Sequence, residues 1–512
     1  MSPSTDRGYS FVAALADEEG TRRLMADIAG LIEPGDLITL SGDLGAGKTT
    51  FARSMIRHFA GDETVEVPSP TFTLLQSYEL PRFTLVHADL YRLSGPSELA
   101  ELGLDDLAAG SVMLLEWPDR AAGDLPADRI DVALKLSPQQ GPNFRNVRVT
   151  GYGALAARVE RIDAIRRFLA RAGFGEATRR RIQGDASTRS YERLTLQGTN
   201  YILMNSPRRP DGPAVRNGKP YSAIAHLAED VTPFLAMAGA LRARGLSAPD
   251  VFAADYALGL AVLEDLGDEG VVAGDPPAPI ETRYEVATDL LVALHTQDLP
   301  DAVPVKLGIE YRLPRYDLDA FLIEVELLPD WLLPKLGVEL SAEARDNYGT
   351  LWREALQPVL KTKPTWVLRD YHSPNLLWLP EREGVARLGL LDFQDALMGP
   401  AAYDLASLLH DARVTVPEMM EITLLSRYTR ARLAADAGFD APAFVQAYAT
   451  LCAQRASKVL GIFARLDRRD GKPQYLRHIP RVWAYLQRAL AHPSLAPLKA
   501  WYDAHVPALK SI

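Results

Sequence analysis

Cysteine is almost missing from this chain: Cys452 is the single one in 512 residues. One thiol excludes an internal disulfide and fits a reducing compartment. Long apolar runs are missing too, and no stretch is long and apolar enough to span a bilayer. Asp17, Glu18 and Glu19 interrupt the first apolar run, so no secretory signal pattern is read there. An excess of positive charge is also lacking, because the formal net charge is -10. The surface as a whole is therefore not built to hold nucleic acid by charge. No fixed-period repeat is visible, so the chain is not a duplicated array. What remains is a cytoplasmic globular protein long enough for two or three domains.

One stretch is specific. Gly42-Asp43-Leu44-Gly45-Ala46-Gly47-Lys48-Thr49 fits the phosphate-binding pattern G-x-x-x-x-G-K-[ST]. Glycines let backbone N–H groups turn onto phosphate oxygens without Cβ clashes. Lys48 is placed to reach the β- and γ-phosphates, and the Thr49 hydroxyl to ligate Mg²⁺. Asp36 to Leu40 reads as a buried strand entering the loop, and Thr50 to Phe59 as a helix leaving it. That helix presents its N-terminus to the anion, and Thr50 joins the nucleotide contacts. Upstream, residues 11–32 carry apolar positions at helical spacing.

Downstream, Pro68 and Pro70 force an extended segment that holds Ser69 and Thr71. It reads as a nucleotide-sensitive switch or as an ordinary strand entry. Asp89 sits just beyond a strand-like run, a place for a metal carboxylate. Val112 to Leu115 form an apolar strand that delivers Glu116 at its end, followed by Trp117. An acid there either serves the metal and the attacking water or is an ordinary strand-end residue.

The order G-D-L-G-A-G-K-T, S-P-T-F, H-x-D-L-Y-R-L and L-L-E-W-P resembles the TsaE family across roughly residues 8–150. The resemblance implies a small α/β ATPase that serves tRNA N6-threonylcarbamoyladenosine synthesis with the TsaB and TsaD proteins. It also implies Lys48 and Thr49 as phosphate and Mg²⁺ contacts, Glu116 as catalytic acid and metal contact, and Trp117 beside the nucleotide. Asp89 and Thr71 follow less directly.

A Pro- and Gly-rich stretch over residues 137–154 marks a boundary near 154, with a new helix from Leu155. Gly184 to Leu196 and Tyr201 to Met204 read as a hairpin whose turn lies over a nucleotide. Leu260 to Gly267 suits a hinge strand between kinase lobes. Trp366 to Leu377 contains Asp370 and Asn375 in the spacing D-x-x-x-x-N of a kinase catalytic loop, with Asp370 as base and Asn375 on Mg²⁺. Asp392 ends the next apolar strand, in the place of a metal-binding acid. Asp404 precedes an apolar helix and reads as its N-cap. Arg455, Lys458 and Arg465 lie on a helical stretch and read as facing a substrate cleft or, more simply, water.

These motifs, with D-A-S-x-R-x-Y around Ser187 and Arg189, resemble the aminoglycoside phosphotransferase superfamily, and within it the AmgK-type anomeric kinases of cell-wall amino sugars. The resemblance implies ATP- and Mg²⁺-dependent phosphorylation of N-acetylmuramate and N-acetylglucosamine, with Ser187 and Arg189 at the nucleotide. Two departures stand out. Met204 occupies the strand where broader kinases carry a lysine, so either Arg189 or Lys219 meets the phosphates or the nucleotide binds differently, and Arg369 replaces the glycine often preceding the catalytic Asp.

The expected architecture is α/β: a P-loop NTPase domain over 1–154, then a two-lobed protein-kinase-like α+β domain over 155–512. Two alternatives stay open. The second half phosphorylates another small alcohol, such as an aminoglycoside or a choline-like compound, or the first half is a nucleotide-gated binding module with little turnover of its own.

Overall fold

The structure, a computed structural model, describes residues 8–71, 73–93, 110–121, 125–182, 189–208, 212–306 and 308–509. It divides into two compact units, Met1–Asn205 with Leu260–Val262, and Ser206–Gly259 with Leu263–Ile512. Among the described residues, no helix is long and apolar enough to cross a membrane.

The first unit is built on a seven-stranded sheet. Its strands are β1 (Tyr9–Leu15), β2 (Leu37–Ser41), β3 (Leu75–Glu79), β4 (Thr84–Asp89), β5 (Ser111–Glu116), β6 (Arg129–Leu136) and β7 (Arg145–Tyr152). Their spatial order is β1-β7-β6-β2-β5-β4-β3. β4, β5, β2 and β6 run parallel, and β1, β3 and β7 pair antiparallel at the margins. β5 is buried at all six positions, as a central parallel strand covered on both faces requires.

Helical spacing over residues 11–32 did not decide the start of that stretch. Phe11, Ala13 and Leu15 are buried and Val12 is exposed, the period-two pattern of β1. The helix α1 (Glu18–Ala29) starts only after Asp17, whose carboxylate accepts from Gly20 N at 2.8 Å.

The helix α2 (Lys48–Ala60) leaves the phosphate loop, and α3 (Ala156–Arg171) packs on β1 and β7. The chain then enters the antiparallel strands β8 (Thr178–Ile182), β9 (Ser190–Leu196) and β10 (Thr199–Asn205). Arg179 of β8 is buried between Glu192 of β9 and Asp27 of α1. It donates Nε to Glu192 Oε2 at 2.7 Å and Nη2 to Glu192 Oε1 at 2.9 Å. Arg166 of α3 reaches Asp27 from its own side at 2.6 Å.

In the second unit, short hairpins carry the chemistry. β11 (Pro364–Val367) pairs with β14 (Leu397–Pro400), and β12 (Leu376–Trp378) with β13 (Leu388–Leu390). The helices that surround them include α4 (Leu318–Val325), α5 (Ala402–Leu409) and the long α6 (Ala441–Asp470).

Candidate active sites

In the first unit, parallel pairing brings the C-terminal ends of three strands together. Glu116 is in register with Leu40 of β2 on one side and Asp89 of β4 on the other. The loop 42–47 leaves β2 beside them. Gly42 has φ +137°, and a Cβ there would lie 2.3 Å from Leu134 O. Only glycine passes this point. Gly47 begins α2 in the left-handed region, and no side chain caps the helix. Arg145 holds the loop from β7 by donating Nε to Ala46 O at 2.9 Å.

Lys48 is buried and turned onto the loop itself, with Nζ donating to Gly42 O at 2.7 Å and Asp43 O at 3.0 Å. Burial pushes its ammonium below the ordinary lysine range. The Trp117 ring covers it at 3.6 Å, and Trp117 holds a left-handed φ of 61° to do so. Thr49 Oγ1 donates to Glu116 Oε2 at 3.1 Å, and Thr71 Oγ1 to Asp89 Oδ2 at 2.9 Å. Ser69 lies 2.7 Å from the Thr71 hydroxyl. Leu44 and Gly45 form the exposed tip of the loop, and Thr50 follows in the first turn of α2. Glycines at positive φ, an uncapped helix start, an ammonium and two buried acids form a donor set that fits a nucleotide phosphate chain with Mg²⁺.

The motif reading assigned no role to His87. It is fully buried in β4, and its Nε2 donates to Glu116 Oε1 at 3.0 Å. The signal was present: a histidine inside a buried apolar strand needs a hydrogen-bond partner.

In the second unit, residues 368–375 join β11 to β12. Asn375 Nδ2 donates to Asp370 O at 2.9 Å and faces Asp392 Oδ2 at 3.4 Å. Leu391 N donates to Asn375 O at 2.9 Å, which ties the two loops together. Asp392 takes a left-handed φ of 56°, and Gln394 Nε2 donates to its Oδ1 at 2.8 Å. Asp370, Asn375 and Asp392 are thus brought to one place. Burial pushes the Asp370 carboxyl up, but the charges of His372, Arg455, Lys458 and Arg369 overcome it and hold the group below its ordinary value. Among the described residues, no group of three or more His, Cys, Asp or Glu forms a metal cage in either unit. An amide and an acid suit Mg²⁺, which takes its remaining ligands from phosphates and water.

Three expectations are corrected here. Asp404 is not the N-cap of α5, which begins after Ala401. It lies inside the first turn, where its carboxylate accepts from Leu368 N at 2.6 Å and Arg369 N at 2.9 Å. The loop's own unpaired N–H groups outcompete the helix for it, and burial pushes it up to about 7. Arg455 and Lys458 do not face water either. Lys458 Nζ is buried 2.7 Å from Glu324 Oε1, and Arg455 Nη1 donates to Arg369 O at 3.2 Å. Arg465 is half-buried, with its guanidinium 5.1 Å from the Tyr221 ring.

Arg369, with φ 71°, points inward to Glu324. Met204 is buried in β10 opposite Tyr191. Arg189 immediately precedes β9, and Lys219 is exposed. Ser187 and the turn around it lie outside the described residues.

Residues 15–145 match the family model described as Threonylcarbamoyl adenosine biosynthesis protein TsaE. Residues 178–445 match the model described as Phosphotransferase enzyme family. The chain is 43% identical over 361 residues to an N-acetylmuramate/N-acetylglucosamine kinase of Caulobacter vibrioides, which covers 68% of this chain and 97% of that protein. It is 44% identical over 122 residues to the tRNA threonylcarbamoyladenosine biosynthesis protein TsaE of Rickettsia bellii, covering 24% of this chain and 84% of that one. Among solved structures, an ethanolamine kinase of Plasmodium vivax aligns at 10% identity over 67% of this chain and 91% of its own, with a TM-score of 0.44.

Proposed function

We propose that this chain, which belongs to the TsaE family through its first part and to the phosphotransferase enzyme family through its second, joins two ATP-using enzymes in one cytoplasmic polypeptide. The first part serves tRNA threonylcarbamoyladenosine synthesis as the ATPase, with TsaB and TsaD as partners. The second phosphorylates N-acetylmuramate and N-acetylglucosamine at the anomeric hydroxyl. We divide the activities near residue 154, between the two matched spans 15–145 and 178–445.

The observation that carries the kinase reading is the convergence of Asp370, Asn375 and Asp392 on two tied loops. Phosphoryl transfer to an alcohol asks for positioning, charge neutralisation and a modest base. Asp370, held ionised by the surrounding cations, accepts or orients the proton of the acceptor hydroxyl. Asn375 and Asp392 would hold Mg²⁺, which would supply charge neutralisation for the phosphates of ATP. Asp404 fixes the loop before Asp370 by taking two backbone N–H groups.

In the first part, Lys48, Thr49 and the loop N–H groups take the phosphates, and Glu116 and Asp89 serve metal and water. A second reading, a nucleotide-gated module with little turnover alone, is favoured by one contact. Lys48 is engaged by its own loop and covered by Trp117, so it must be released before it meets phosphate.

The full chain with ATP, Mg²⁺ and each sugar, followed by phosphorus NMR, tests the proposal. We expect a sugar 1-phosphate from wild type and from Lys48→Ala, and none from Asp370→Asn. Nucleotide hydrolysis in the absence of sugar should be lost with Lys48→Ala and kept with Asp370→Asn. A wild-type chain that phosphorylates neither sugar refutes the kinase assignment.

A further inference from the structure

Among the cations around Asp370, Arg455 keeps two donors, Nε and Nη2, that no described residue takes. It lies on α6, is 7% exposed, and sends only Nη1 to protein, to Arg369 O at 3.2 Å and the Tyr403 hydroxyl at 3.5 Å. Its neighbours are closed by comparison. Lys458 and Arg369 both engage Glu324, which also accepts from Gln454 Nε2 at 2.9 Å. No carboxylate among the described residues reaches ion-pair distance of Arg455. Its Nε and Nη2 make no hydrogen bond to a described residue, yet they are not sealed from solvent as Arg369 Nη1 is.

Nε and Nη2 form the fork edge of a guanidinium, the edge that takes both oxygens of a carboxylate. Arg369 O, which holds the other end, belongs to the residue before Asp370. The guanidinium is therefore held beside the base, and Asp370 and Arg455 lie close enough for their charges to act on each other.

We infer that Arg455 is a specificity-determining residue that binds the carboxylate of an acidic amino-sugar acceptor through its Nε and Nη2 edge. This rests on the kinase reading above. N-acetylmuramate is N-acetylglucosamine with a lactyl ether that carries one carboxylate, so a single group separates the two acceptors. A site that takes both needs a cation that is tolerable without its anion. Arg455 meets that condition, because Nη1 stays bonded and Asp370 and Asp411 balance its charge from nearby. The transferring phosphoryl group competes for the same fork, but its charge is common to every acceptor, and kinetics separate the two.

The test compares N-acetylmuramate, its methyl ester and N-acetylglucosamine as acceptors of the full chain, as wild type, Arg455→Gln and Arg455→Lys. In Arg455→Gln, the ratio of kcat/KM for N-acetylmuramate over N-acetylglucosamine should fall by about tenfold to a hundredfold, mostly through KM, the size of a charged hydrogen-bond loss. Arg455→Lys keeps the charge but not the fork and should fall between. Wild type should treat the ester like the neutral sugar. A ratio unmoved by Arg455→Gln, with both sugars falling together, overturns the inference and assigns Arg455 to Asp370 or the phosphoryl group. If Arg455→Gln does not fold, wild type decides alone, since an ester used as well as the acid overturns the inference. Wild type active on neither sugar removes the kinase reading itself, a result distinct from both.

Discussion

His87 and Glu116 show what a single residue does in a buried site. Glu116 has two oxygens and two donors, Thr49 on one and His87 on the other. Thr49 is expected to leave for Mg²⁺, and His87 then alone keeps the carboxylate aimed. It is a positioning residue. We expect His87→Gln to bind nucleotide within a few-fold of wild type while hydrolysis falls about tenfold to a hundredfold, as removal of a ligand-orienting partner does. Hydrolysis and nucleotide titration on one preparation check it, and unchanged hydrolysis refutes it. The acids at strand ends were legible in sequence because a buried apolar strand delivers its last residue to a fixed place. Arg455 and Lys458 were not, because cations three apart on a helix look like a solvated stripe. The carboxylate that claims Lys458 comes from α4, far away in the chain.

At the scale of elements, β8 is anchored by charge. Arg179 is 5% exposed at its side chain, between Asp27 and Glu192, at 9% and 6%. Burial alone would lower the guanidinium's pKa, and the two carboxylates more than reverse that. Taking away such a cation strands two buried carboxylates, which costs about 3–5 kcal/mol. We expect Arg179→Ala to lose that much stability in chemical denaturation, and an unchanged midpoint would contradict the buried network. No strand is legible in sequence over residues 178–182, because three successive arginines carry no apolar alternation, and its partner in α1 was not legible either. Likewise, the apolar residues 11–15 suit a helix or a strand, and pairing with β7 decided the matter.

The whole molecule carries a pH signature. Burial pushes His295 down to about 3 and His372 down to about 4. In the unfolded chain both take a proton near 6.5, so unfolding binds protons and stability falls as pH drops below about 6.5. Asp404 works in the opposite sense. Its folded value of about 7 exceeds 3.8, so it releases a proton on unfolding and offsets one histidine. Between about pH 6 and 4.5, the net slope from these three groups is about one proton, or ~1 kcal/mol per pH unit. Asp404→Asn should steepen the profile by about one proton, ~1 kcal/mol per pH unit. Below about 4.5 a second loss begins. Burial favours the neutral form of Glu324, but Lys458 and Arg369 overcome it and hold the carboxyl down to about 2. Denaturant titrations at several pH values read both effects, and a flat profile in wild type would contradict the burial of these histidines.

The sequence by itself determined the phosphate loop, the acids at strand ends, the order Asp370, Asn375, Asp392, and the two family resemblances. Each is set by residues contiguous in the chain, because strand, tight turn and helix start are local events with local residue requirements. Tertiary structure alone decided that Asp404 serves the backbone of Leu368 and Arg369 instead of its own helix, that His87 bonds Glu116, that Arg179 joins β8 to α1, and that Arg455 bonds the carbonyl of Arg369. These depend on which distant groups share a buried space. Burial makes an unpaired charge or N–H costly, so each polar group takes the partner that folding brings within reach.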